Sequence, residues 1–373
     1  MKTDISIYVH VPFCSRRCIY CDFTSYVNDR FISDYFDAIY HEIEIVSNQL
    51  GDGHVFTLYF GGGTPSHVPV NYISNLVDKI RVNFRYDPAE ITFEMNPEDV
   101  TVDLCHDLKV IGVNRVSLGL QSTSDQLLKV IGRPYNLETF LKKYEITRMY
   151  FDNINVDLMY NLPFEILSDV ESDLKIVEKI RPDHVSFYEL EVHEEVPLYP
   201  MIKSGAVKLP SEDESEKMYE AIIESLDKLG YERYELSSWT RGKPSIHNIN
   251  YWENGEYIGF GLSAGSHHEM RRWVNTFDLG EYVQKLIKGE LPRTYNSINS
   301  FKAELAETFF MGLRLKKGIN LVSLKERFGN EDVNFYIKKL EKFCGEFLDC
   351  SNGTIKFTPS GMKFSALVLS ELV

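Results

Sequence analysis

The 373-residue chain lacks a basic excess and a long apolar run. Its formal charge of -15 argues against a protein that binds nucleic acid over its whole surface, because that task needs lysine and arginine to neutralise phosphates. No run of about 20 apolar residues appears, and the first residues lack the apolar stretch of a secretion signal. These absences predict a cytoplasmic globular protein without nucleic-acid partners, and they leave contact with a membrane surface open.

Cysteine is scarce and unevenly placed. Three of the six cysteines lie in one loop, and the other three, Cys105, Cys344 and Cys350, are scattered. This spacing does not resemble a disulfide framework, and it fits a reducing compartment. We therefore expect Cys344 and Cys350 to be free thiols rather than a pair.

The cysteine loop is the most informative segment of the chain. Cys14, Cys18 and Cys21 follow one another at spacings that let three thiolates bind three irons of a 4Fe-4S cluster and leave the fourth iron open. The alternative is a zinc site, but structural zinc usually takes four ligands in two pairs, and no second pair follows. The loop therefore predicts an iron–sulfur site at which a small molecule binds the open iron and receives an electron.

Six short apolar strands alternate with amphipathic helical stretches in the first part of the chain. The predicted strands are residues 5–11, 56–60, 91–95, 115–120, 154–160 and 184–190. Repeated strand–helix units indicate a parallel sheet with right-handed crossovers, and a closed barrel would need two more units. We predict an α/β fold in which residues 1–200 form a partial (β/α)6 barrel of the TIM type, with its reactive groups at the carboxyl ends of the strands.

Two further regions follow the predicted barrel. Residues 201–298 read as an extension that packs on the barrel, with a helix over 212–229, one strand over 231–239 and irregular structure over 240–275. Residues 299–373 read as a smaller helical or winged-helix-like domain, with a helix over 321–329 and a hairpin that turns at Asn352-Gly353. Because the chain is acidic, this domain is interpreted as a lid, a docking surface or a dimer contact rather than a DNA-binding module.

A glycine run and several polar residues follow the predicted strands. Gly61, Gly62 and Gly63 carry no Cβ, so a ligand can approach the backbone closely. The polar residues at the strand ends are Glu94, Asn96, Gln121, Arg133 and Asp157. Carboxylates and amides suit ribose hydroxyls, and the planar guanidinium suits a carboxylate. This mixture matches an amino-acid–nucleoside conjugate.

These motifs carry a specific resemblance. The CxxxCxxC loop, with Tyr20 before its last cysteine, and the GGGTP segment resemble the radical S-adenosylmethionine superfamily. Within it, the segments YVHVPFC, GVNRVSLGLQS, NVDLMYNLP and HNINYW are similar to the group that contains oxygen-independent coproporphyrinogen III oxidase and the HemW-type heme chaperone. The likeness runs over nearly the whole chain.

The resemblance implies roles for individual residues. Cys14, Cys18 and Cys21 would ligate the cluster, which would cleave S-adenosylmethionine to methionine and a 5′-deoxyadenosyl radical. The residues implied to line the S-adenosylmethionine site are Tyr8, Gly62, Gly63, Thr64, Glu94, Gln121, Arg133 and Asp157. His247, in the HNxxYW segment, is implied to bind heme, with His267 and His268 as further candidates.

The resemblance leaves two main functions open. One is a heme chaperone that passes heme to acceptor proteins; the other is an oxidase that decarboxylates porphyrinogen propionates. The oxidases carry a fourth cysteine two residues after the third, whereas this chain has Phe23 there, as the chaperones do. We therefore expect a chaperone that does not convert coproporphyrinogen III, and a radical enzyme with another substrate is a third hypothesis.

The resemblance also implies partners and shows departures. Heme-accepting proteins and an electron donor such as flavodoxin or ferredoxin are the implied partners, and a homodimer stays open. The family pattern is broken at Tyr135, where a histidine is common, and at Asn161, Phe164 and Glu165, which replace a glycine-rich arrangement after Asp157. These departures touch the predicted mouth of the barrel.

Overall fold

The centre of the fold is a run of six parallel strands that lie side by side in chain order. The computed structural model describes residues 4–51 and 53–372. The six strands are β1 (Asp4–Val11), β2 (His54–Gly62), β3 (Arg85–Met95), β4 (Arg115–Gln121), β5 (Ile154–Tyr160) and β6 (His184–Glu189). All five neighbouring pairs are parallel. The predicted six-unit barrel is confirmed.

Amphipathic helices cover the outer face of these strands. They are α1 (Ile32–Leu50), α2 (Val70–Asn83), α3 (Val102–Ile111), α4 (Asp125–Val130), α5 (Leu137–Arg148) and α6 (Leu167–Ile180). On α1, Tyr35, Phe36, Ile39 and Ile43 recur at helical spacing and are completely buried. The helices therefore begin and end close to where the periodicity of the sequence predicts them.

The inner face of the sheet is polar. On β4, Val116, Leu118 and Leu120 pack into the apolar core below the helices. The alternate residues of the same strand, Arg115, Ser117, Gly119 and Gln121, line a cavity inside the sheet. A closed barrel fills this space with branched apolar side chains, whereas here polar groups surround an open volume.

The extension adds strands to both edges of the six. Its elements are α7 (Leu198–Lys203), α8 (Glu212–Lys228), β7 (Glu232–Glu235), β8 (Ser238–Thr240), α9 (Ile246–Trp252), β9 (Tyr257–Phe260), β10 (Gly265–His268), β11 (Arg271–Asn275), α10 (Leu279–Ile287) and β12 (Arg293–Ile298). β9 pairs with β1 in parallel, and β8 pairs with β6 in antiparallel orientation. The sheet therefore has twelve strands among the described residues.

Two predictions for the extension were wrong. The single strand over 231–239 is two antiparallel strands, β7 and β8. The segment over 240–275 is not irregular, since it contains α9, β9, β10 and β11. These strands are short, and the partner of β9 lies about 250 positions earlier in the chain, so local periodicity carries little signal for them.

The last part of the chain has its own apolar core and a small sheet. Its elements are α11 (Phe301–Gly312), β13 (Ile319–Asn320), α12 (Leu321–Phe328), α13 (Asn330–Leu340), β14 (Leu348–Asp349), β15 (Thr354–Phe357), α14 (Pro359–Lys363) and α15 (Ser365–Leu369). The three strands pair in the order β13, β15, β14. The boundaries predicted between the three regions stay a prediction. No helix in the described ranges is long and apolar enough to cross a membrane.

The expectation of free thiols at Cys344 and Cys350 was wrong. The two residues form a disulfide, with their Cα atoms 5.8 Å apart. The chain reverses at Gly345, whose φ is +97°, and the Gly345 N–H donates to the Leu348 carbonyl across 2.7 Å. This turn brings Cys344 beside the start of β14, a proximity that the sequence spacing does not reveal.

Candidate functional site

The cysteine loop leaves β1 and is held in place by its own backbone. The Cys14 N–H donates to the Tyr26 carbonyl across 3.1 Å, and the Tyr26 N–H donates to the Pro12 carbonyl across 2.6 Å. The Leu198 N–H, at the start of α7, donates to the Ile19 carbonyl across 2.9 Å. Backbone hydrogen bonds therefore join the two ends of the loop, and a further one ties its middle to the start of α7.

The three thiols of the loop face one cavity. Cys14, Cys18 and Cys21 are half-buried and line it together. Burial raises the pKa of Cys14, and it raises the pKa of Cys21 to about 11, so both thiols hold their protons at neutral pH until a metal displaces them. In the described ranges, no three His, Cys, Asp or Glu side chains are gathered closely enough to hold one metal ion. In a cluster each thiolate would bind a different iron, so the three thiols need not meet at one ion.

The glycine run lies against the cysteine loop. A Cβ on Gly63 would meet the Val11 carbonyl oxygen at 2.9 Å and the Cys14 Sγ at 3.0 Å. Gly62 has a φ of +110°, and a Cβ there would lie 2.6 Å from the ring of His10. Gly62 is therefore required by the approach of β1, and Gly63 by the approach of the cysteine loop, in addition to any approach of a ligand.

A chain of hydrogen bonds connects the loop to two strand ends. The Thr64 hydroxyl donates to the Cys14 sulfur across 3.3 Å, and the Asn96 amide donates to the Thr64 hydroxyl across 3.1 Å. The Arg133 guanidinium then donates to the Asn96 carbonyl oxygen across 3.0 Å and to the Tyr20 hydroxyl across 2.6 Å. Four segments that are far apart in the sequence therefore meet around one guanidinium, whose Nε is buried without a partner.

Two predicted carboxylates lie on the cavity wall. The Tyr59 hydroxyl donates to Glu94 across 2.7 Å, and burial raises the pKa of Glu94 to about 7. Asp157 accepts hydrogen bonds from the Ser117 hydroxyl at 2.6 Å and from the Asn155 amide at 2.8 Å. Burial raises the pKa of Asp157 as well. Both groups can accept hydrogen bonds from a ligand when they are ionised.

Gln121 ends β4 in an unusual backbone conformation. Its φ is +68°, a region that non-glycine residues adopt rarely, and its side chain lies over Gly119. A Cβ on Gly119 would meet the Gln121 Nε2 at 2.8 Å. The small residue two positions earlier therefore makes room for the amide at the cavity wall.

Two predicted residues are placed away from the cavity surface. Tyr8 is half-buried, and its hydroxyl lies 3.1 Å from the Nδ1 of His10. His247 is completely buried, with its Nδ1 2.7 Å from the Thr57 hydroxyl and its Nε2 2.9 Å from the Tyr251 hydroxyl. Both ring nitrogens are therefore engaged within the protein, and the predicted heme role of His247 stays a prediction.

The other histidine candidates are also engaged. His267 is buried, and its Nε2 lies 3.2 Å from a Glu304 carboxylate oxygen. His268 pairs with Glu256 across 2.6 Å. Neither residue lines the cavity.

Two of the four departures from the family pattern, Asn161 and Phe164, have the positive φ that glycine adopts most easily. Asn161 and Phe164 both have a φ of +66°, which residues with a Cβ adopt at a cost of about 1 kcal/mol. Glu165 is 2% exposed and accepts a hydrogen bond from the Leu162 N–H across 2.8 Å. The Tyr135 hydroxyl donates to the Gly119 carbonyl across 2.8 Å. These four side chains shape the loops behind the cavity, and none of them lines it.

The cavity has a volume of about 1020 Å³ and is closed partly by the end of the chain. Phe310, Arg314 and Leu369 reach its wall, and the Arg314 guanidinium lies 4.5 Å from the ring of Trp252 on α9. These contributions have no local sequence signal, because the segments are distant in the chain. Tyr59 and Arg115 also line the cavity and were missed, although their alternation with apolar neighbours along β2 and β4 could have indicated them.

A partial parallel barrel with CxxxCxxC in its first loop is typical of radical S-adenosylmethionine proteins. The sequence profile of the Radical SAM superfamily matches residues 8–177. The chain is 30% identical to the heme chaperone HemW of Bacillus subtilis over 87% of each protein. It is 33% identical to the heme chaperone HemW of Buchnera aphidicola subsp. Schizaphis graminum, over 91% of this chain and 90% of that one. The chain therefore belongs to the heme chaperone HemW family of radical SAM proteins.

A solved structure shares the whole fold. Coproporphyrinogen III oxidase of Escherichia coli, described as a radical SAM enzyme, superposes with a TM-score of 0.87 and covers 100% of this chain and 90% of its own. Its sequence identity of 21% shows the common fold alone.

Proposed function

We propose that this protein is a heme chaperone, which binds heme and passes it to acceptor proteins. The observation that carries the proposal is the identity of 30–33% to heme chaperones over 87–91% of the chain. This match is longer than the predicted barrel of residues 1–200, so it extends into the regions that follow the barrel.

The residues on the cavity wall fit a 4Fe-4S cluster and S-adenosylmethionine. Cys14, Cys18 and Cys21 would hold the cluster, and the cradle around Gly63 leaves no room for any side chain beside Cys14. The residues that would bind the adenosyl ligand are Gly62, Gly63, Thr64, Glu94, Gln121, Arg133 and Asp157. When bound, the two groups would supply one-electron chemistry at the loop.

Each polar residue on this wall has a chemical task that its contacts support. Arg133 would bind the carboxylate of the ligand, since Asn96 and Tyr20 hold the guanidinium plane and its Nε–H has no acceptor in the part of the chain that the structure describes. Glu94 and Asp157 would accept hydrogen bonds from hydroxyl or amino groups. Tyr59 would keep the Glu94 carboxylate oriented toward the cavity.

The residue at position 23 favours the chaperone over the oxidase. Phe23 follows the cysteine loop, is 60% exposed and lines the cavity. An aromatic side chain at this place cannot ligate iron, and it offers an apolar face to a flat macrocycle. Together with Trp252 and Phe310, it makes the cavity wall suitable for heme.

An anaerobic heme titration combined with an oxidase assay tests the proposal. The reconstituted protein is expected to contain a 4Fe-4S cluster, to bind one heme per chain and to leave coproporphyrinogen III unchanged. Cys14→Ser should lose the cluster, whereas the matched control Cys105→Ser, at a buried thiol on α3, should keep it. Decarboxylation of coproporphyrinogen III, or the absence of heme binding, would refute the chaperone function.

The partners follow from the same proposal. Heme-accepting proteins would receive the heme, and a flavodoxin or ferredoxin would donate the electron. We also propose that the heme-loaded protein can form a homodimer, which analytical centrifugation would test. Sedimentation with lipid vesicles would test its association with a membrane surface.

A further inference from the structure

Among the residues that the structure describes, the buried guanidinium of Arg115 has no hydrogen-bond or ion-pair partner. It is the first residue of β4, is only 2% exposed and lines the cavity. Its Nε is buried without an acceptor, and within the described ranges no carboxylate lies within 4.0 Å of it in an ion pair. Because a buried charge without a partner is costly, such an arginine indicates that a ligand supplies the missing acceptors.

The acidic neighbours of Arg115 are committed to other groups. Glu90 accepts hydrogen bonds from the Ser245 hydroxyl at 3.1 Å, the Ile246 N–H at 2.9 Å and the His247 N–H at 3.1 Å, and so holds the start of α9. Asp157 accepts from Ser117 and Asn155. Neither carboxylate turns toward the guanidinium, although both lie close enough to favour its positive charge.

The two imidazoles near Arg115 also have partners at both ring nitrogens. His184 has its two ring nitrogens 2.6 Å from the Asn155 amide oxygen and 2.8 Å from the Tyr234 hydroxyl. His247 is held by Thr57 and Tyr251. Burial, and then the charge of Arg115, lower the pKa of both histidines, so that both rings are neutral. The floor of the cavity therefore carries a guanidinium whose charge is favoured by nearby carboxylates but whose Nε–H has no acceptor among the described residues.

Arg115 and Arg133 approach the cavity from opposite ends of β4. Arg133 lies beyond the carboxyl end of β4, beside the cysteine loop, whereas Arg115 lies at the opposite end of that strand. The seven residues of β4 span about 20 Å at the usual rise of a strand. The charge of Arg115 favours the ionised forms of Glu94 and Asp157, so Arg115 borders the proposed adenosyl site on the side away from the cysteine loop.

We propose that Arg115 binds a propionate carboxylate of heme at the floor of the cavity. The inference rests on the proposed chaperone function, which makes heme the second ligand of this cavity. A guanidinium presents paired N–H groups that match the two oxygens of a carboxylate, and burial strengthens such a pair. The propionate end of the macrocycle would point into the barrel, and its apolar edge would lie against Phe23, Trp252 and Phe310.

The test compares heme with its dimethyl ester, in which both carboxylates are neutralised. The cluster-loaded protein is titrated with each ligand by Soret absorbance, and the ratio of the two dissociation constants is taken. The wild-type protein is expected to prefer heme by about 20-fold or more, because a buried charge pair is lost with the ester. Arg115→Met should weaken heme binding by that factor, leave ester binding unchanged and bring the ratio near 1. Arg115→Lys, which keeps the charge, should retain part of the preference.

Controls separate the inference from its alternatives. Arg85→Met changes an exposed arginine at the start of β3, outside the cavity, and should keep the wild-type ratio. An unchanged ratio in Arg115→Met, a loss of S-adenosylmethionine binding with heme binding intact, or misfolding of both Arg115 variants by circular dichroism would each overturn the inference while the chaperone proposal stands. If the wild-type protein binds neither heme nor ester, the chaperone proposal itself fails and the inference fails with it.

Discussion

The Thr64 hydroxyl donates a hydrogen bond to the Cys14 sulfur across 3.3 Å. This contact joins the two segments that carry the family motifs, which are 50 positions apart in the chain. It is made possible by Gly63, the residue before Thr64, where the backbones of the two segments nearly touch. The glycine run and the cysteine loop therefore form one structural unit.

Gly63→Ala is expected to prevent cluster assembly. The new Cβ would lie 2.9 Å from the Val11 carbonyl oxygen and 3.0 Å from the Cys14 sulfur, so the loop must move and carry a ligand away from its place. Iron and sulfide analysis after anaerobic reconstitution should find little cluster. The control Gly242→Ala, where a Cβ meets nothing within 4 Å, should assemble it normally. Equal cluster content in the two variants would contradict the assignment.

The affinity for S-adenosylmethionine is expected to rise with pH through the titration of Glu94. Burial raises the pKa of this carboxyl to about 7, so it is mostly protonated at pH 6 and mostly ionised at pH 8. The ionised form accepts hydrogen bonds from the ligand, so affinity should increase about tenfold over this range. Isothermal titration calorimetry of the cluster-loaded protein measures the dissociation constant at each pH, and hence the slope of affinity against pH.

Glu94→Gln should bind the same ligand more weakly and with little dependence on pH. If the variant keeps the wild-type slope, the titrating group is not Glu94. Asp157, whose pKa burial also raises, would then be the group to change next.

Replacement of Glu304 is expected to destabilise the contact between the extension and the C-terminal part. Glu304 is 1% exposed and accepts hydrogen bonds from Asn254 at 2.9 Å, His267 at 3.2 Å and Arg327 at 3.2 Å. Glu304→Ala leaves the buried Nε2 of His267 without its acceptor and removes the ion-pair partner of Arg327, so it should lower the free energy of unfolding by roughly 3 kcal/mol. Denaturant unfolding measures this free energy. The control Glu138→Ala removes an exposed ion pair with Lys142 and should change the free energy of unfolding very little.

The effect of Glu304 should depend on pH. Burial opposes its ionisation, yet hydrogen bonds from His267 and Asn299 lower its pKa overall. The stabilisation is therefore complete above the pKa of the unfolded chain, about 4.3, and is lost as the pH falls through the lower pKa of the folded protein. A stability difference between wild type and variant that grows toward acid pH would refute this account.

Titration of thiols is expected to find four reactive groups in the unfolded, unreduced apoprotein and six after reduction, because Cys344 and Cys350 are paired. Changing both residues to serine should destabilise the C-terminal part by roughly 2 kcal/mol, the value expected for closing a short loop in the unfolded chain. Thermal unfolding with and without reductant checks this. Six thiols before reduction would show that the bond does not form in the isolated protein.

Local patterns predicted most of the barrel. β5 has the predicted bounds, residues 154–160, and Glu94, Gln121, Arg133 and Asp157 line one cavity as expected. The carboxyl ends of parallel strands meet at one edge, so their polar residues converge without further information. His247 shows the limit of this reasoning, because a motif does not reveal that Thr57 and Tyr251 bind both nitrogens of the ring.

The sequence by itself determined the cysteine loop, the order of strands and helices and the family, because spacing and periodicity are local properties of the chain. Only the tertiary structure decided that Arg115 has no hydrogen-bond partner within residues 4–51 and 53–372, that Phe310 and Arg314 complete the cavity, and that Cys344 reaches Cys350. These features depend on which distant segments pack together. A buried charge is paired or unpaired according to neighbours that the chain brings together only when it folds.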